Sequence, residues 1–168
     1  MSADEAVEVV DVDGVVERLV TRAEMRAQRL RHRCTYVVVL DHADRLVVHQ
    51  RASWKDVWPS RWDVAFGGVA AVGEDWLAAA RRELREEAGV DAVLRQAGGG
   101  PYDDLDVSVM GRVFVARHDG PFTFPDGEVV ASERVPLARL DELLAERSWC
   151  PDSLALAGPA LRALEGRG

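Results

Sequence analysis

The chain has only two cysteines, Cys34 and Cys150. Two are too few for a disulfide framework and they lack metal-site spacing, so each is expected as a buried free thiol. There is no charged start leading into an apolar segment, no long apolar run and no lipidation box. A cytoplasmic protein with no membrane contact is therefore the default expectation. A basic surplus is missing too: 21 Lys and Arg stand against 29 Asp and Glu, a formal charge of −8. That argues against a nucleic-acid polymer as partner, because a phosphate backbone needs a basic patch. A small phosphorylated molecule stays open, since a divalent cation can join acid to acid. Internal repeats, low-complexity tracts and interdomain linkers are absent as well.

What is present suits one α/β domain over residues 1–168, with 48% hydrophobic and 30% charged residues, long enough to bury about two-thirds of its unfolded surface. Val7–Val10 and Val15–Val20 flank an Asp13-Gly14 turn signal and predict a hairpin. Thr21 and Glu24 have capping-box spacing ahead of a basic helix over 22–30. The β-branched run Cys34–Leu40 predicts a buried strand, and Leu46–Gln50 its antiparallel neighbour. Arg51–Arg61 is a loop carrying Arg51, Lys55 and three nearby tryptophans: Trp54, Trp58 and Trp62. They either pack under the loop or wall a binding site. Trp62–Phe66 predicts a short strand. A weak strand over 93–95 is expected to run into a flexible Gly98-Gly99-Gly100-Pro101 loop near a substrate mouth. Val107–Ala116 predicts a long strand with Gly111 as a candidate bulge, Val129–Val135 another strand, and Leu137–Ala145 a short helix. Asp152 or Ser153 is a candidate cap for a last helix that Gly158-Pro159 should break or kink. Strands with helices between and after them fit an α/β/α sandwich with a mixed sheet.

The stretch Gly67–Val90, GGVAAVGEDWLAAARRELREEAGV, is the most specific in the chain. It reads as a glycine-opened loop, a helix over 75–88 and a glycine stop. Glu83, Glu86 and Glu87 stand at i, i+3 and i+4, so they share one helix face. Leu77, Ala80, Leu84 and Ala88 form a separate apolar arc. Three carboxylates on adjacent turns repel one another. Either they form a solvated acidic face, or a hard divalent cation, Mg²⁺ or Mn²⁺, takes their oxygens as ligands.

These residues resemble the Nudix box: Gly68, Glu74, Arg82, Glu83, Leu84, Glu86, Glu87, Gly89 and Val90 all fit its pattern. The resemblance implies a Nudix-type α/β/α sandwich and metal-dependent hydrolysis of a diphosphate linked to another moiety. It implies that Glu83, Glu86 and Glu87 bind metal with the carbonyl of Gly67, and that Glu74 and Arg82 brace the loop against the helix. In this family the general base often lies outside the box. Asp126, Glu128 and Glu133 are the available carboxylates, and Glu128, at the mouth of a predicted strand, is the preferred one.

The segment 21–90 is also similar to the isopentenyl-diphosphate isomerase-like branch, through RAEMRAQRLRHRCTY, LVVHQR and KDVWPSRWD. That likeness implies that Arg51 and Lys55 hold the diphosphate. The branch's catalytic cysteine and metal-binding histidine fall on Gly67 and Val69, whose side chains can neither donate nor accept a proton. Of the branch's upstream histidines, His32 is present and the other falls on Met25. The expectation is therefore a hydrolase on an isomerase-like frame. Isomerase activity and a catalytically idle ligand-binding or regulatory Nudix domain are the rival readings.

Overall fold

A computed structural model describes residues 2–166. The strands are β1 (Ala6–Val10), β2 (Val16–Thr21), β3 (His32–Leu40), β4 (Arg45–Arg51), β5 (Trp62–Asp63), β6 (Arg95–Asp103), β7 (Ser108–Arg117) and β8 (Val129–Pro136). The helices are α1 (Arg22–Ala27), α2 (Trp76–Ala88), α3 (Leu140–Glu146, entered through a 3-10 turn) and α4 (Pro151–Glu165).

The β3 run is buried on both sides, and its side chains alternate between two cores, as a period of two requires. Tyr36, Val38 and Leu40 face α3 and α4, together with Leu46 and Val48 of β4 and Val113 and Val115 of β7. Val37 and Val39 face α2, together with Val47, Phe114 and the helix residues Ala80, Leu84 and Ala88. The sheet is thus sandwiched between helices, and it is mixed. β3 runs parallel to β7 from His32↔Val109 to Leu40↔Arg117, whereas β6–β7 and β4–β8 are antiparallel.

One feature of this sheet positions the site. β3 and β4 pair only at Leu40↔Leu46, and β4 spends its edges on β8 and β5. The expected β3–β4 hairpin is therefore a splayed one. The following segment bridges the gap. It pairs with β4 through Trp62 and Asp63, then with β3 through Phe66↔Val37 and Val69↔Cys34. Gly67 and Gly68 are delivered between the two strands in the process.

Other expectations are corrected. α1 ends at Ala27, because Arg29 adopts a left-handed φ of 51°. Gly98–Pro101 is not a loop: it continues β6 along β7, and Gly99 lies so close that a Cβ would come within 2.4 Å of the Gly111 carbonyl oxygen. The bulge sits at Gln96/Gly98 on β6, while Gly111 pairs in register with Gly100. α4 runs unbroken through Pro159. Burial of Ala157, Ala160 and Leu161 beneath it outweighs the one hydrogen bond that proline removes.

Candidate active site

α2 presents the acidic ridge. Asp75 caps its N-terminus, accepting from the backbone N–H of Leu77 (2.9 Å) and Ala78 (3.2 Å). Gly89 ends it in the left-handed conformation at φ 65°. A side chain there would also meet Thr123, since a Cβ would fall 1.9 Å from its Oγ1. Between these stops, Leu84 and Ala88 pin the helix to the sheet. Glu83 and Glu87 are buried beside them, and Glu86 is half exposed.

Glu87 accepts a 2.8 Å hydrogen bond from the Gly67 N–H. Burial, then the neighbouring Glu83 charge, push its pKa well above the usual carboxylate range. Burial likewise raises Glu83 to about 7, against the opposing pull of Arg82. Gly68 faces Glu83 so closely that a Cβ would lie 2.7 Å from Oε2. The neighbouring carbonyls of Phe66 and Gly68 accept from Val37 and Thr35 of β3. The Gly67 carbonyl takes no part in that pairing.

Arg82 is the hub of the box. Its Nε and Nη2 grip the two Glu74 oxygens at 3.0 and 2.9 Å, and Nη2 also donates to the Val69 carbonyl at 3.2 Å. Nη1 donates to Glu83 (2.6 Å) and Glu86 (3.1 Å). Glu74 in turn accepts from the Ala71 N–H at 2.9 Å. Arg82 and Glu74 therefore join loop to helix. Among the described residues, no three His, Cys, Asp or Glu side chains already converge to hold a metal ion; Arg82 reaches Glu83 and Glu86 from one nitrogen instead.

A cavity of about 530 Å³ opens beside the ridge, and Gly67, Gly68, Glu83, Glu86 and Glu87 all line it. So do Arg51, Lys55, Asp126 and Glu128. Lys55 forms an ion pair with Glu128, which immediately precedes β8. Arg51 donates to the Val57 carbonyl at 3.1 Å and stands 3.9 Å from Asp63. Glu133 is elsewhere: it pairs with Arg147 at 2.9 Å outside this cavity, because it lies well along β8. The Gly98–Asp106 segment does not line the cavity either, since its glycines are committed to β6.

Of the tryptophans, Trp54 is exposed and Trp58 buried, and both line the cavity. Trp62 lies against Trp149 and Arg147. His32 is buried at the cavity wall with Nδ1 3.0 Å from the Leu30 carbonyl, and burial lowers its pKa to about 4. Both cysteines are free, and Cys34 lines the cavity.

Among the lining residues that sequence reasoning missed are Tyr36, Cys34 and Asp152. The Tyr36 hydroxyl donates to Asp152 Oδ2 at 2.8 Å. Asp152 or Ser153 was expected as a helix cap, but Cys150 holds the cap position without a side-chain bond. Only the alternation of β3 carried a signal, for it sets Cys34 and Tyr36 on one side of the strand.

Residues 30–154 match the family model described as the NUDIX domain. The chain belongs to the Nudix family. It is 36% identical over 160 residues to the uncharacterized Nudix hydrolase YfcD of Salmonella typhi, covering 92% of this chain and 83% of that protein. An uncharacterized Nudix hydrolase of Streptomyces coelicolor is 34% identical over 168 residues, covering 98% and 92%. The fold is similar to that of DR0079 from Deinococcus radiodurans, with a TM-score of 0.76, 21% identity and coverage of 96% and 98%. It also resembles the Nudix domain of Shewanella oneidensis NrtR complexed with ADP ribose, with a TM-score of 0.64, 18% identity and coverage of 86% and 99%. The protein is accordingly a Nudix hydrolase, a pyrophosphohydrolase by class. Among its described residues, no helix is long and apolar enough to cross a membrane.

Proposed function

We propose that the protein hydrolyses a nucleoside diphosphate-linked or related pyrophosphate with a divalent metal, Mg²⁺ or Mn²⁺, as cofactor. The observation that carries this reading is the sharing of one cavity by Glu83, Glu86 and Glu87 with Arg51, Lys55 and Glu128. The donor set fits a hard cation: it offers only oxygens, and two of the carboxyls are buried with pKa values that a cation would bring back down. Glu83, Glu86, Glu87 and the Gly67 carbonyl would hold it. When bound, it would neutralise phosphate oxygens and acidify a nucleophilic water.

The remaining work falls to the chain. Arg82 and Glu74 fix the ridge against the loop, so that Glu83 meets its target without reorganisation. Arg51 offers a guanidinium and Lys55 a mobile point charge to the diphosphate. Glu128 takes the proton as the water oxygen bonds to phosphorus and the bridging P–O bond breaks. Lys55 holds the Glu128 carboxylate in place beforehand, and exchanges that partner for phosphate when substrate arrives.

Isomerisation on the isopentenyl-diphosphate frame is the rival chemistry, and the isomerase-like likeness of segment 21–90 is its basis. Gly67 weighs against it. A Cβ there would stand 1.9 Å from the Thr35 carbonyl oxygen, so no cysteine could be seated at that point without moving β3. A Mg²⁺- or Mn²⁺-supplemented screen of nucleoside di- and triphosphates, nucleotide sugars, coenzyme A, dinucleotides and isopentenyl diphosphate tests the proposal. Release of a phosphorylated product, lost in Glu86→Gln and Glu87→Gln, is the expected result. Conversion of isopentenyl to dimethylallyl diphosphate without any hydrolysis would overturn it, and so would a complete lack of turnover.

A further inference from the structure

One buried ion pair lies outside both the box and the cavity and has no part in the chemistry described so far. Glu8 of β1 and Arg33 of β3 meet at 2.9 Å, with side chains only 9% and 11% exposed. The strand register brings them together. β1 pairs antiparallel with β3 at Val9↔His32, so the next step sets Glu8 opposite Arg33. Val7 and Val9 pack with Met25 and Val69, which turns Glu8, between them, to the other face of the sheet.

Attraction between two buried charges repays their desolvation only when further hydrogen bonds satisfy their other polar atoms. Here those further bonds go to one place, the turn that leads into α2. Glu8 Oε1 accepts from the Gly73 N–H at 2.8 Å, and Arg33 Nη2 donates to the Glu74 carbonyl at 2.8 Å. The Arg33 carbonyl accepts from the Ala70 N–H at 3.0 Å. Its guanidinium also lies 4.3 Å from the ring centre of Trp76, the first residue of α2. The turn itself is closed by the Glu74 N–H, which donates to the Ala71 carbonyl at 3.1 Å, with Gly73 left-handed at φ 70°.

Glu74 is the residue whose carboxylate Arg82 grips, and Arg82 reaches on to Glu83 and Glu86. A continuous line of bonds therefore runs from the N-terminal hairpin, through Arg33 and Glu74, to the acidic ridge. Neither Glu8 nor Arg33 lines the cavity, so neither is placed to touch a substrate. Glu8 also lies before residues 30–154, the stretch that matches the family model.

We propose that Glu8 and Arg33 are positioning residues for the hydrolase: the pair holds the Ala71–Glu74 turn where Glu74 can clamp Arg82, and so presets Glu83 and Glu86 for the cation. The N-terminal hairpin is then a working part of the site. This rests on the metal-dependent hydrolase reading above. The cations offered to the diphosphate are held separately, Arg51 by Val57 and Lys55 by Glu128, so the pair acts on the metal ridge and not on substrate binding.

Two mild variants test it. Arg33→Lys keeps the charge but lacks the fork that serves Glu8 and the Glu74 carbonyl together. Glu8→Gln keeps an acceptor for Gly73 and removes the charge facing Arg33. Each is compared with the wild type by Mn²⁺ calorimetry on chelator-treated protein, by kcat and KM on a diphosphate substrate at saturating Mn²⁺, and by thermal melting. Each should bind Mn²⁺ about tenfold more weakly, the scale of one lost hydrogen bond. Each should also lose about tenfold or more in kcat, as a misplaced ridge would, with KM for the diphosphate unchanged. Because the effect passes through Glu74, adding Arg33→Lys to Glu74→Gln should weaken Mn²⁺ binding no further. Variants that melt earlier yet bind Mn²⁺ and turn over like the wild type would overturn the proposal and leave the hydrolase reading standing. So would an additive loss in the double variant, or two single variants that fail to fold. Wild-type protein lacking Mn²⁺ binding or diphosphate hydrolysis would instead strike the underlying reading, and this proposal with it.

Discussion

Gly68→Ala separates the chemistry of the ridge from the stability of the fold. A Cβ at residue 68 would stand 2.7 Å from Glu83 Oε2, 2.9 Å from Cδ and 3.0 Å from Oε1. Ordinary contact begins at 3.4 Å, so the carboxylate must retreat by about 0.7 Å. It can do so, because it is the far end of a flexible side chain, and Gly68 does not require a left-handed backbone. The stability cost should therefore stay within about 1 kcal/mol. The catalytic cost should be larger. A misplacement approaching 1 Å can cost about 100-fold in rate, and Glu83 also loses its 2.6 Å bond to Arg82 Nη1. Gly67→Ala is the contrasting case. There the Cβ would meet the Thr35 backbone oxygen at 1.9 Å, an atom held in the β3 strand that cannot yield, so this variant should lose the fold. Thermal melting and steady-state diphosphate hydrolysis read the two effects. A Gly68→Ala protein with wild-type turnover would refute the placement of Glu83 in the reaction. One that fails to fold would refute the claim that only a side-chain tip opposes the new methyl.

Stability should also depend on pH with a definite sign. Glu83 binds its proton more tightly folded (about 7) than unfolded (4.5), so its contribution is full below pH 4.5 and is lost as pH rises through 7. Chelator-treated protein should lose up to about 3 kcal/mol from this group over that window, as denaturant melts at pH 5 and pH 8 would read. Parallel profiles for wild type and Glu83→Gln would contradict it. Arg82→Lys keeps the charge but loses the two-point grip on Glu74; melting should show a loss of about 1–3 kcal/mol, and activity should fall with it. Glu128→Gln should lower kcat by about 100-fold or more with KM nearly unchanged, whereas Lys55→Met should raise KM; a reversed pattern would exchange their roles.

The sequence displayed the helix and its ends because they are local. Asp75, Gly89 and the alternation of acidic and apolar arcs are written within one stretch of chain, and so was the Glu74–Arg82 brace at a spacing of eight residues. Strand positions were legible for the same reason, through the β-branched run of β3 and the alternating sequence of β7. Partnership was not. That β3 should leave β4 after one pair and run parallel with β7 depends on contacts between residues over 70 apart. The glycines of β6 carry a loop signature, and only the long β7 beside them makes them a strand. Asp152 stood only as one of two cap candidates because its partner, Tyr36, lies 116 residues away. Composition offered Asp126, Glu128 and Glu133 alike, and Glu128 was preferred only for its place at the mouth of a predicted strand. Five residues along β8 put Glu128 in the cavity and Glu133 beside Arg147.

The acidic ridge of α2, as proposed above, is a cation site. Calorimetric titration of Mn²⁺ into chelator-treated protein tests this directly, wild type against the Glu86→Gln, Glu87→Gln double variant. Saturable binding by the wild type is expected, with its loss in a double variant that still melts cooperatively. Equal binding by both proteins, or none by the wild type, would contradict it.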